Sequence, residues 1–219
     1  MDLNFQGVLE NLPFILGGLG TTLILVFSSI AFGTGLGIVL SLLKLSRNSV
    51  LAAFATVYIS IFRGTPLMLQ LVLIYFGLPL AFGIDLGAYG SAILALGLNS
   101  AAYISEIIRS GIMAVDKGQT EASLALGIPY SNMMKSIILP QALKNILPAL
   151  INEFTALTKE SAIVNVVALS DLMRRAMIIG NRSFLYFEAL LVVGVIYYLL
   201  VTGISLGGKW VERRLAVSD

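Results

Sequence analysis

From residue 11 to residue 43 the chain carries no charged side chain. Crossing a bilayer as a helix takes about 20 apolar residues, and this run exceeds that. Inside hydrocarbon each backbone N–H and C=O needs a partner within the protein, and an unbroken helix supplies them all. Four more apolar stretches follow. Spans are expected at about 14–43, within 51–82, and at about 88–113, 146–169 and 184–206. The predicted fold class is an all-α membrane protein with about five transmembrane helices in a single domain over 1–219.

Composition agrees. The chain is 58% hydrophobic and 12% charged, with a mean hydropathy of +0.93, values of a membrane protein rather than a soluble domain. It has no Cys, so a disulfide framework and a thiolate metal site are excluded. It has no His, which removes the commonest general base and the commonest metal ligand. The start, Met1-Asp2-Leu3-Asn4, lacks the basic region of a cleavable signal, and the first apolar segment is expected to be retained.

Basic residues orient the spans, because they accumulate on the cytoplasmic side. With the N-terminus outside, Lys44, Arg47, Arg109, Lys117, Lys135, Lys144, Lys209, Arg213 and Arg214 face the cytoplasm. Arg174, Arg175 and Arg182 face outward, and Arg63 and Lys159 fall inside apolar stretches. Nine against three sets an outside N-terminus and a cytoplasmic C-terminus. It also puts the polar segment at about 114–145 in the cytoplasm.

That segment is patterned. Glu121-Ala122-Ser123 opens an amphipathic helix, Gly127 and Pro129 turn the chain, and Ile137 to Leu139 lead into Pro140. Gly127 follows Ser123 by four residues, and nine residues separate it from Ile137. The stretch closely resembles the "EAA" loop in permease subunits of ATP-binding cassette importers, with Ser123 in place of the second Ala. Phe62-Arg63-Gly64-Thr65-Pro66-Leu67, with Gln70 and Ile74-Tyr75-Phe76-Gly77-Leu78-Pro79, resembles the second-span signature of polar amino-acid permeases. The run from Tyr103 through Glu106 and Arg109 to Ile112 is similar to the end of their third span. Asn152-Glu153-Phe154 and Lys159-Glu160-Ser161 are similar to the fourth, where Lys-Asp-Thr-Ser is usual.

The resemblance implies a permease of the histidine, glutamine and arginine importer type in a bacterial inner membrane. Two such chains, identical or paired with a homologue, form the pore. Two ATPase subunits dock beneath, taking a short cytoplasmic coupling helix at about 120–126, so Glu121, Ala122, Ser123 and Gly127 are the expected ATPase-coupling residues. The ATPase binds ATP and Mg, and this chain is expected to hold no cofactor or metal. An extracellular or periplasmic amino-acid-binding protein delivers the cargo; membrane lipid surrounds the chain, and no nucleic acid is involved. The alternative is a passive membrane channel or scaffold without ATPase coupling. A catalytic role is not expected.

Charges within spans are costly, roughly 2.5–3.5 kcal/mol each at a helix centre, and so mark candidate sites. Glu153 and Glu160 are seven residues apart, on one helix face and about 10 Å apart along the axis. Lys159 and Asn152 share the adjacent face. Either Glu153, Lys159 and Glu160 bind an amino acid, or Glu160 neutralises Lys159 within the bundle. The acidic excess favours a cationic cargo: arginine, lysine or histidine. Asp171 is either a helix cap or a further anion for the substrate. Gln70 and Asn99 are candidate cavity residues, Asn99 alternatively bonding another helix. Thr65-Pro66 reads as a bend between an interfacial helix and a shorter span. Glu106 and Arg109, three apart, are expected to pair.

Two glycine patterns carry alternative readings. Gly33 and Gly37 form a G-x-x-x-G pair, which lets helices approach closely. Gly203 to Gly208 with Lys209 matches most of a phosphate-binding loop, but Trp210 stands where Ser or Thr holds magnesium. Lys209, Trp210, Arg213 and Arg214 read instead as an interfacial anchor.

Overall fold

The computed structural model describes residues 3–216, so Met1 and Asp2, part of the N-terminal reading, lie outside it. Among the described residues the chain is helical, with no strand. Helices α1 (Gln6–Leu9) and α2 (Leu12–Leu16) lead into α3 (Leu19–Lys44). Next come α4 (Ser49–Gly64), α5 (Leu67–Val72), a π-helical turn (Leu73–Gly77) and α6 (Leu78–Phe82). Then follow α7 (Gly87–Met113), α8 (Lys117–Ala125), α9 (Tyr130–Met133) and a second π-helical turn (Met134–Ile138). The chain ends with α10 (Leu139–Glu160), a 3₁₀ stretch (Ser161–Val167), α11 (Leu172–Ser183) and α12 (Tyr186–Ala216). Each π turn stands directly before a Leu-Pro pair, Leu78-Pro79 and Leu139-Pro140. The proline ring has no N–H and crowds the carbonyl four residues back, and a wider turn relieves both problems.

Among the described residues, three helices are long and apolar enough to cross a membrane alone: Leu12–Lys44, Gly87–Met113 and Tyr186–Arg214. The pair Ser49–Gly64 and Leu67–Phe82 is bent by 104° and makes a fourth span if taken as one. The expected bend at Thr65-Pro66 is therefore present. The expected span at 146–169 is shifted. Its helix starts at Leu139, carries four charges (Lys144, Glu153, Lys159, Glu160) and leaves α geometry at Ser161. There the Ser161 hydroxyl donates to the Thr158 carbonyl at 2.7 Å and the Asn165 amide to the Ala162 carbonyl at 2.8 Å. Such local bonds compete with the helix ladder, and the β-branched run Ile163-Val164 and Val166-Val167 disfavours helix further.

Between the two last expected spans, where the sequence places only outward-facing arginines, stands helix α11. It is amphipathic, burying Leu172, Ala176, Ile179 and Gly180 at helical spacing. Leu172, Ala176 and Ile179 form a core with Val8, Ile15, Ala189 and Val193. A second core joins Leu25 of α3, Leu71 of α5, Leu96 of α7 and Leu157 of α10.

Glycine decides which helices touch. A Cβ on Gly33 would lie 3.1 Å from the Gly97 carbonyl oxygen, and one on Gly37 would lie 2.8 Å from Ile104 Cγ2. Across the seam, a Cβ on Gly97 would run into Phe32. The G-x-x-x-G pair is thus a helix-packing face between α3 and α7. Gly18 is tight against backbone, since a Cβ there would sit 2.6 Å from backbone atoms of Asp171 and Leu172. Gly20 and Gly35 face open space. Gly18→Ala should therefore destabilise the protein by about 1–3 kcal/mol through overpacking against backbone, with Gly20→Ala within about 0.5 kcal/mol of wild type. Thermal unfolding of the purified protein in one detergent compares them directly.

Candidate functional site

The bend builds the first polar cluster. Thr65 is extended (φ −120°, ψ 147°), because the residue before proline is pushed out of helical geometry. Helix α4 therefore ends, leaving carbonyls without helical partners. Gln70 Nε2 donates to the Phe62 carbonyl at 2.9 Å, to the Thr65 carbonyl at 3.1 Å and to Thr65 Oγ1 at 2.9 Å. Asn99 Nδ2 of α7 donates to the same Phe62 carbonyl and to Gln70 Oε1, each at 3.0 Å. Gln70 and Asn99 are brought together as the sequence suggested. Their amide hydrogens, however, are occupied in closing the bend, and both side chains are buried.

The second cluster is on α10. Glu153 is half-buried, and its Oε1 accepts from the buried Ser100 hydroxyl of α7 at 2.7 Å. Asn152, Lys159 and Glu160 are exposed on the single chain. Lys159 and Glu160 form no ion pair with each other, as expected of neighbours pointing about 100° apart. Phe154 packs on Phe27 of α3 with ring centroids 5.3 Å apart. Polar and charged groups thus run along one side of α10, available to a ligand, water or another chain.

Asp171 is fully buried. It caps α11: Oδ1 accepts from the Arg174 N–H at 2.8 Å and Oδ2 from the Met173 N–H at 3.3 Å. The Tyr197 hydroxyl of α12 donates to Oδ2 at 3.2 Å. Of the two readings of Asp171, the geometry is that of a cap.

The segment after α7 forms a separate surface. Asp116 caps α8, accepting from the Gly118 N–H at 2.6 Å. Ser123 is buried and its hydroxyl donates to the Gln119 carbonyl at 2.6 Å. Gly127 lies at φ +69°, a left-handed conformation that favours glycine. Around it the Gly127 N–H donates to the Leu124 carbonyl at 3.0 Å and the Ile128 N–H to the Ser123 carbonyl at 2.9 Å, a glycine-terminated helix end. Of the four expected coupling residues, Ser123 and Gly127 shape the element, and Glu121 and Ala122 are exposed on it. Leu124, Leu126 and Tyr130 are 61%, 78% and 69% exposed beside them, an apolar patch of the kind that marks an interaction site. Where α7 approaches this segment, Glu106 binds both Lys44 of α3 and, at 2.9 Å, Arg109. The phosphate-loop look-alike lies wholly inside α12, where Gly208 packs against Ile151 of α10.

The described residues thus form a helical membrane domain with a 104° bend after α4 and an exposed, glycine-terminated helix. Residues 33–217 match the family model described as "Binding-protein-dependent transport system inner membrane component", and the chain belongs to that family. It is 52% identical to the arginine transport system permease protein ArtQ of Bacillus subtilis (strain 168), with all of both chains covered. It is 46% identical to a Rickettsia felis protein named as the glutamine transport system permease GlnP, covering 91% of this chain and 92% of that one. Among solved structures, an amino acid ABC transporter crystallised with histidines superposes with a TM-score of 0.92 at 42% identity, covering 98% and 100% of the two chains. An inward-facing MetNI methionine ABC transporter superposes at 0.73 with 21% identity over 94% and 98%, a likeness of fold.

Asn99→Leu strips the part-buried Phe62 carbonyl and the buried Gln70 Oε1 of a donor. Its expected cost is about 1–3 kcal/mol, read as a lowered unfolding temperature. Asn152→Leu, on the exposed side of α10, should shift that temperature far less.

Proposed function

We propose that the chain is the permease subunit of an ATP-driven amino-acid importer, working as one membrane unit over 1–219, and that its cargo is a polar, cationic amino acid such as arginine, lysine or histidine. Family membership and the names carried by its relatives support the transport role. The observation that carries the coupling is the surface of α8. Glu121 and Ala122 are presented with Leu124 and Leu126 on a short helix that is pinned by Asp116 and ended by Gly127. A separate ATPase, holding ATP and Mg, docks there. Only three residues separate α7 from α8, so a push on α8 reaches the membrane helices with little slack. A second copy or a homologue completes the pathway, an external binding protein loads it, and rigid-body rocking exposes it to each side in turn. The N-terminus lies outside and the C-terminus in the cytoplasm, as the basic residues favour.

For cargo, Glu153 and Glu160 hold the cationic end and Lys159 or nearby N–H groups hold the carboxylate, each by a charge-assisted hydrogen bond. Ser100 orients Glu153 from behind. Gln70, Asn99 and Asp171 serve the scaffold.

Two experiments test this reading. In the reconstituted complex, Glu121→Lys or Gly127→Asp should leave ATP hydrolysis running while uptake falls by about tenfold or more; a passive channel would conduct as before. Glu153→Gln and Glu160→Gln should each weaken radiolabelled arginine binding by about tenfold, the loss expected of a hydrogen bond to a charged group. Unchanged affinity in both removes the assignment of the cargo site while leaving the coupling result intact.

A further inference from the structure

The face of α10 opposite its polar side lines an apolar groove. Asn145, Asn152 and Lys159 are exposed along one side of the helix. Leu147, Ile151 and Phe154 lie on average about 130° away around it at 3.6 residues per turn. With Phe27 of α3 and Ile204 of α12 they wall a groove of about 470 Å³. Phe27 and Phe154 touch ring to ring on its wall. Gly208, also on the wall, lets α12 settle on Ile151, and the next residue is Lys209. Trp210 is 59% exposed, Arg214 stacks 4.5 Å from its ring centroid, and Lys209 and Arg213 are exposed. Lys209, Arg213 and Arg214 outnumber Glu212 in this segment, so the stretch of α12 that follows the groove-lining Gly208 is net positive.

Only 11% of the apolar stretch of α12 is buried, so the groove's outer wall stands at the edge of the bundle. A second copy of the chain is the competing occupant. Polar groups are expensive against lipid, so a copy is needed over Asn152 and Lys159, and that placement leaves the opposite face of α10 toward the bilayer. Lipid chains are as apolar as the residues lining the groove, and a basic, aromatic segment suits an anionic head group at the membrane interface. We propose that the groove holds an acyl chain of an anionic phospholipid, with its phosphate at Lys209 and Arg213 and Trp210 beside it.

The test is native mass spectrometry of the protein, in its complex, released from nanodiscs of equal parts phosphatidylglycerol and phosphatidylcholine. Wild type should retain phosphatidylglycerol several-fold over phosphatidylcholine. Ile204→Trp, which fills the groove, should lose retained lipid of both kinds. Lys209→Gln with Arg213→Gln, at exposed positions that leave the fold intact, should keep lipid and bring the retention of the two lipids to about equal. Equal retention of the two lipids by wild type overturns the proposal. So does phosphatidylglycerol retention unchanged in Ile204→Trp, or a disulfide forming between two copies that carry Phe27→Cys.

Discussion

The close contact of α3 and α7 is the constraint on which the rest depends. Without a large apolar driving force between helices in lipid, association rests on tight packing and on polar contacts. Gly33, Gly37 and Gly97 let the two helices approach to carbonyl-to-Cα range. With α3 seated, α7 is fixed in rotation, and its polar residues reach three separate partners. Asn99 turns to the bend after α4, Ser100 to Glu153 on α10, and Glu106 to Lys44 at the end of α3. A shift of α7 would disturb the bend, the carboxylate and the helix end together.

The helices a bilayer demands were legible, because length and apolarity suffice to find them: α3, α7 and the bend at Thr65-Pro66 stand where the sequence placed them. Helix α11 was not, because Arg174, Arg175 and Arg182 masked its apolar spacing. The signal was there in Asp171, a cap, followed by Leu172, Ala176 and Ile179. The start of α10 was misplaced because its first turns carry Lys144 and Asn145 and read as loop.

The candidate site was half legible. Residue types on α10 identified Glu153, Lys159 and Glu160, and helical periodicity grouped them. Which way Gln70 and Asn99 turn is set by a three-way meeting of α4, α5 and α7, and no local pattern encodes that. The glycines divide in the same way. Gly127 was legible from its turn, whereas Gly18 and Gly20 look alike in sequence and only the approach of the Asp171 backbone separates them.

The two π turns have a consequence for phase. Each contains one residue more than an α-helix needs, and one residue is about 100° of rotation. Everything after Ile138 is therefore turned relative to where an uninterrupted helix from α9 would have put it. Because Leu-Pro follows each turn, the offset is fixed by the proline ring and does not drift with neighbouring side chains. The proline thus acts as an angular setting, deciding which edge of α10 faces α7 and which faces away.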